Sequence, residues 1–308
     1  MGRILKYQAT ASDTGRAVRE ILRDEFCLVA HDIARAKYRT EKGITVNGVS
    51  VKTDRVLREG DVVEFLLLGE PSLRTVPVRG EIRILYEDED LICLDKPAGL
   101  VVHPSHGHFA DSLGNYLASY FEEKGEPHEI RTVGRLDKDT SGVICFGKSR
   151  TACALMMGQG TSSYRPAPSR KQYLALSRGR FPQTCGTVDA PISREYEEKI
   201  RRVVRSDGAP ARTHYRVLKQ YGDFALLLLE LETGRTHQIR VHMAHIGHPL
   251  LGDPIYGGET DPAAERGLLQ RAALHAWRLT FEQPFDRRLI TVTAPLPADM
   301  RDIIKKLK

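Results

Sequence analysis

Residues 131–149, RTVGRLDKDTSGVICFGKS, run a charged turn directly into an apolar stretch, a junction that few folds accommodate. The apolar part, Val-Ile-Cys-Phe at 143–146, is β-branched and aromatic and too short for a helix, so it reads as a buried strand. The turn before it, closed by Ser141 and Gly142, then lies at the mouth of that strand and reads as an active-site loop. Of its two carboxylates, Asp137 sits between Leu136 and the Lys138-Asp139 tip and is expected to face a pocket, with Asp139 exposed. Asp, Thr, Ser and Gly also form ordinary turns by bonding to their own backbone, so composition alone leaves a purely structural loop open.

Downstream, ETGRTHQIRVHM at 232–243 and IGHPLLGDPIYG at 246–257 form a second dense stretch. Its local logic is a strand, a glycine turn, a helix over 236–246 and a Gly/Pro loop. Between the two stretches, Lys171-Gln-Tyr173-Leu-Ala-Leu176 alternates as a strand. Residues 194–216 carry 7 basic against 4 acidic residues, among them Lys199, Arg201, Arg202, Arg205 and Arg212. Asp207-Gly208 is expected to fold this stretch into a hairpin, either merely solvated or gripping phosphates.

GRLDKDTSGV resembles the signature loop of the RluA-type pseudouridine synthases, which convert uridine in RNA to its C-glycoside isomer, and T-H-Q-I-R resembles the same family's second motif. The likeness runs from about residue 82 to residue 297 and departs at Gly134, where the family more often has His. It implies that Asp137 is the catalytic carboxylate, that Arg240 pairs with it, and that Tyr173 of K-x-Y-x-A lies against the target base. It also implies that Arg135 fills the gap left by the flipped base. The expected fold is α+β: a mixed, largely antiparallel sheet with flanking helices and a catalytic cleft.

The chemistry that the resemblance implies needs no cofactor and no metal. Isomerisation breaks N1–C1′, rotates the base and joins C5 to C1′, so no electrons or donated groups are consumed. The target base must leave its stack, and a flipped base rests on an aromatic or apolar surface. Asp137 must be ionised to act on the ribose, either as nucleophile at C1′ or as base at C2′.

Two rival patterns lie in the same chain. Gly142-Val-Ile-Cys-Phe-Gly147-Lys148-Ser149 fits the P-loop formula, but a P-loop must wrap phosphates with exposed backbone N–H groups, and this run is built for burial. His103, His106 and His108, and then His242, His245 and His248, cluster without the cysteine or H-E-x-x-H partners that metal sites use. An RNA-binding or chaperone-like protein with the same fold and little catalysis is the remaining alternative.

Residues 1–70 read as a separate module: helices over 14–26 and 29–40, then a hairpin at Asn47-Gly48 and a strand over 62–68. KGITVNGVSVKTDRVLREGDVVEF resembles the RNA-binding module named after ribosomal protein S-four. Arg35 and Arg39, four apart on one helix face, would suit phosphate, or would simply be solvated. The module holds 12 Lys+Arg against 11 Asp+Glu, so of the chain's net +6 it carries +1 and the rest +5. Residues 71–80, with Pro71 and Pro77, read as a linker, and 81–308 as the catalytic domain. A pI near 9.0 permits a polyanionic partner, here RNA, ribosomal or transfer. No apolar run reaches membrane-spanning length, so a cytoplasmic protein is expected. The five cysteines form no C-x-x-C pair and are expected to be buried thiols.

Overall fold

The computed structural model describes residues 2–68, 75–105, 107–126, 128–158, 169–196, 200–258 and 269–307. In the N-terminal unit, β1 (Gly2–Gln8) pairs antiparallel with β4 (Val62–Leu68), which in turn pairs with β2 (Ile44–Val46) and, through it, β3 (Val49–Ser50). The turn between β2 and β3 takes positive φ at Asn47 (52°) and Gly48 (76°), the conformation that made this dipeptide a hairpin signal. Strand β4 alternates, with Val63, Phe65 and Leu67 in a core shared with Ile21 and Leu22 of α1 (Val18–Asp24) and Ala36 of α2 (Ala30–Arg39). Both helices are shorter than expected. Arg16 is drawn instead into a carboxylate cluster with Asp13 at 2.7 Å and Asp24 at 2.9 Å.

The larger unit is one extended sheet in the order β10-β13-β14-β9-β15-β8-β6-β5, with β7 on β8 and β16 on β15. Its strands are β5 (Ile84–Glu87), β6 (Leu91–Lys96), β7 (Arg131–Thr132), β8 (Ser141–Gly147), β9 (Arg170–Arg178), β10 (Cys185–Asp189), β13 (Arg212–Tyr221), β14 (Phe224–Leu231), β15 (Leu274–Glu282) and β16 (Leu289–Thr293). A separate ribbon joins β11 (Ile192–Arg194) to β12 (Arg202–Val204). The sheet is flanked by α3 (Leu113–Glu123), α4 (Arg150–Met156), α5 (Gln238–His245) and α6 (Ala298–Lys306). The architecture is thus the α+β arrangement expected.

Among the described strands, only β8 and β15 pair in parallel, His275 beside Ser141 and Ala276 beside Gly142. This seam joins two antiparallel halves, and the site loop opens directly above it. Gly142 has φ of 109°, and a Cβ there would lie 2.1 Å from the Ala276 carbonyl oxygen, so no other residue allows the two strands to meet. Strand β8 is buried at every position, and Lys148 is held by Glu87 at 2.8 Å, so the P-loop pattern is a core strand with an ion-paired end.

The two units are docked by polar contacts. Asp32 of α2 accepts hydrogen bonds from the N–H and hydroxyl of Thr151, at 3.1 and 2.7 Å, at the start of α4. Asp90 receives Arg3 and, at 2.6 Å, the Gln283 amide. Phe285 packs against both cores. The described part of the expected linker lies on α3, with Val78 N–H donating to Asn115 and the Asn115 amide to Val76.

Three local expectations differ. The hairpin of 194–216 turns between β11 and β12, not at Asp207-Gly208; Gly208 instead approaches the Ile192 backbone, where a Cβ would sit 2.6 Å from it. Of the cysteines, Cys27, Cys93, Cys145 and Cys153 are buried, whereas Cys185 is exposed at the start of edge strand β10. The helix after Thr236 begins at Gln238 because His237 takes a left-handed backbone, φ 57°.

Candidate active site

A cavity of about 700 Å³ opens over the seam, lined by Arg135, Leu136, Asp137, Lys171, Tyr173, Arg240 and the 231–239 segment. That volume suits a small organic ligand such as a nucleoside. In a strand, residues two apart share a face. Here the Thr140 N–H closes a turn onto the Asp137 carbonyl at 3.1 Å, which separates the two carboxylates. Asp137 lines the cavity, whereas Asp139 is half-buried outside it and gives its carbonyl to Arg271.

The loop is pinned from below by Lys96, which is fully buried at the end of β6. Its ammonium donates to the carbonyls of Pro97, Leu100 and Lys138, each at 2.8 Å, so that all three N–H bonds are used. Burial pulls its pKa down to about 7, against the raising influence of Asp139. Arg271, chelated by Asp299 at 2.8 and 3.0 Å, braces the same loop from the side.

Arg240 is almost fully buried on α5, and its expected pairing is divided. Its principal partner is Asp253, engaged twice at 2.7 and 2.6 Å, while the nearest Asp137 oxygen is 3.9 Å from Nη1. Asp253 also caps its own turn by accepting the N–H of Ile255 and of Tyr256. The sequence reading gave this aspartate no role, although G-D-P-I-Y, an acid in a Gly/Pro turn just after the helix that carries the arginine, was its available signal. Gln238 was missed as well. Its carboxamide oxygen accepts from Thr233 and from the Arg235 N–H while its nitrogen donates to the Arg212 carbonyl, which fixes the cavity's rim. His237 is buried against the Tyr256 hydroxyl at 3.0 Å, and burial holds its imidazole neutral more strongly than Asp137 favours the charge.

Tyr173, on β9, is 6% exposed at the cavity wall. Burial first, and then the negative charge of Asp137, push its phenol well above the usual range, so it keeps its proton at neutral pH. Arg135 is exposed at the mouth, donating to the Thr236 hydroxyl at 3.1 Å. Arg201 and Arg202 reach the same region through Tyr256, one over its ring and the other donating its backbone N–H to the hydroxyl. Arg205 is turned to Asp207 and Ser193, and Lys199 lies outside the described residues. In the N-terminal unit Arg35 donates to the Leu68 carbonyl at 3.2 Å, and the side chain of Arg39 lies outside the described residues. Of the histidines, His103 bonds to Thr132, His108 to Asp111, His242 to Thr213 and the Ala190 carbonyl, and His248 to the Arg178 carbonyl, while His106 lies outside the described residues.

Residues 90–245 match the family model described as RNA pseudouridylate synthase. The chain belongs to this family. It is 37% identical over 270 residues to an uncharacterised RNA pseudouridine synthase, YhcT, of Bacillus subtilis, covering 87% of this chain and 86% of that one. It is 38% identical over 274 residues to ribosomal large subunit pseudouridine synthase D of Haemophilus ducreyi, covering 86% and 83%. Among solved structures, human RNA pseudouridylate synthase domain containing 1 superimposes with a TM-score of 0.54 at 25% identity, over 74% of this chain and 94% of that one. This synthase therefore isomerises uridine in RNA to pseudouridine. No helix among its described residues is long and apolar enough to cross a membrane.

Proposed function

We propose that this synthase acts on a uridine of large-subunit ribosomal RNA in the cytoplasm, with Asp137 acting on the ribose, Tyr173 beneath the base and Arg240 stabilising the ionised Asp137. The observation that carries the assignment is that Asp137, and not Asp139, lines the 700 Å³ cavity, with a buried guanidinium 3.9 Å away. Arg240 is anchored on Asp253, so it places a positive charge beside Asp137 without locking that residue's oxygens into hydrogen bonds. Either role at the sugar, attack on C1′ or removal of the C2′ proton, needs such an ionised and unencumbered oxygen. Tyr173, kept protonated, supplies a flat surface and an O–H donor; it can take the C5 proton only while releasing its own. Arg135, at the mouth, is the group that would replace the flipped base in its stack.

Ribosomal RNA is favoured by the relative whose name states that substrate and by the basic ribbon beside the mouth, where Arg201 and Arg202 supply charge for phosphates. Residues 1–70 serve in this reading as an S-four-like RNA-binding module ahead of a catalytic domain at 81–308, with α2, which carries Arg35 and Arg39, as its phosphate-binding element.

The test is tritium release from unmodified RNA labelled at uridine C5, with wild type and Asp137→Asn side by side on ribosomal and transfer RNA. Release from ribosomal RNA by wild type alone is expected. Equal release by both proteins would remove Asp137 from the mechanism, and release from transfer RNA only would overturn the substrate.

A further inference from the structure

The cations that line or brace the cavity are nearly all occupied. Arg240 is chelated by Asp253, Arg135 donates to Thr236, Arg235 donates to the Pro210 carbonyl, and Arg271 and Lys96 are fully engaged beneath the loop. Lys171 differs. It stands two residues before Tyr173 on β9, hence on the same face of the strand, and lines the cavity beside Gly134 and Arg135. Among the described residues its ammonium has neither a hydrogen-bond acceptor nor an ion-pair partner.

Gly134 explains how the ammonium reaches this place. The glycine has φ of 83°, and a Cβ on it would lie 2.5 Å from Lys171 Nζ, so any side chain there would expel the ammonium from the wall. Burial already disfavours its charge. A partly desolvated cation with no counter-ion among the described residues is unfavourable in the free protein, and it becomes favourable once a ligand supplies the anion. The ligand of this cavity is a nucleotide, whose one strong anion is its phosphate.

We propose that Lys171 is a further substrate-binding residue of this synthase, its ammonium taking a backbone phosphate of the flipped nucleotide in the space that Gly134 leaves open. This rests on the reading of the cavity as the uridine site. A lysine ammonium, compact and with three donors, can meet a phosphate from several directions, so the contact adds affinity without reading sequence. It acts on binding rather than on the bond-making step, and its loss therefore raises KM more than it lowers kcat.

The experiment compares wild type, Lys171→Met and Lys171→Arg in three measurements. The first is affinity for the RNA substrate across a salt series, the second tritium release from C5-labelled RNA, and the third thermal unfolding without RNA. Lys171→Met is expected to bind about tenfold more weakly, with a log–log salt slope smaller by about 0.7–0.9, the share of one phosphate contact. It should also unfold at no lower a temperature than wild type, because a half-buried charge without a partner has been replaced by an apolar chain of similar length. Lys171→Arg should restore the salt slope. Wild-type affinity and slope in Lys171→Met, or weakened binding accompanied by a lowered unfolding temperature, would overturn the proposal. Failure of the underlying reading shows elsewhere, as no release by wild type, whatever the salt series gives.

Discussion

Replacing Lys96 by Met separates loop positioning from stability. The substitution leaves the carbonyls of Pro97, Leu100 and Lys138 without their donor, each of which had a bond of 2.8 Å. Orphaned buried acceptors cost about 1–1.5 kcal/mol each at the low end of the measured range, about 3–5 kcal/mol together. Against this, the drop of the ammonium's pKa from 10.5 to about 7 corresponds to about 5 kcal/mol of unfavourable burial that Met does not carry. The two nearly cancel, so at pH 6 the unfolding free energy should change by less than about 2 kcal/mol. Catalysis is not compensated in this way. The bond to Lys138 is the one that ties Asp137's neighbour to the sheet, and a shift of the loop by about 1 Å should lower kcat about 100-fold.

The pH dependence gives the sign. The folded-state pKa lies below the unfolded one, so between pH 7 and pH 10 the unfolded chain holds the proton that the folded chain has released, and wild-type stability rises with pH. Lys96→Met lacks this gain, and its deficit should widen steadily across that range. Urea unfolding at pH 6, 8 and 10, with tritium release at pH 7, measures both quantities. A wild-type kcat, or a loss above about 4 kcal/mol at pH 6, would refute the reasoning.

Three further outcomes follow from buried groups. Asp253→Ala strips the buried Arg240 of its bidentate partner and should cost about 3–5 kcal/mol in urea unfolding, with tritium release falling in step as the guanidinium swings toward Asp137. Asp90, at the junction of the two units, has its pKa raised by burial to about 6. Its stability contribution is full below pH 4 and lost as pH rises through 6, by roughly 3 kcal/mol. Asp90→Asn should flatten that slope in pH-dependent urea unfolding. Gly142→Ala forces a methyl to within 2.1 Å of the Ala276 carbonyl at positive φ and should lower the unfolding temperature of the sheet seam severely, read by circular dichroism.

What the sequence disclosed was whatever is local. The run 143–146 declared its strand and Asn47-Gly48 its hairpin, because each depends on residues within a few positions of one another. Strand β1 stayed hidden, since Gly2–Gln8 becomes a strand only by pairing with β4, far along the chain. The turn at 205–208 misled for a related reason: Asp207-Gly208 does bend the chain, but register is decided by Ile192, which pairs with Val204 on one side and Ala209 on the other. In the site, the resemblance pointed to Asp137, Tyr173 and Arg240. The burial of Lys96 under a loop forty residues away and the anchoring of Arg240 on Asp253 are tertiary facts with no periodic trace.

Those tertiary facts bear on how a site with so many charges can stay both rigid and reactive. A buried cation orients a neighbouring carboxylate best when its own position does not depend on that carboxylate. Arg240 meets this condition, with two short bonds to Asp253 and a looser 3.9 Å approach to Asp137. Lys96 meets it too, bonded to backbone and not to either aspartate. Asp137 therefore lies in a positive field whose sources do not depend on its own position, and in the proposed role at the sugar the loss of one weak contact is all that its motion would cost. Had the short bonds run from Arg240 to Asp137 instead, the proposed action of Asp137 on ribose would require breaking a desolvated ion pair first.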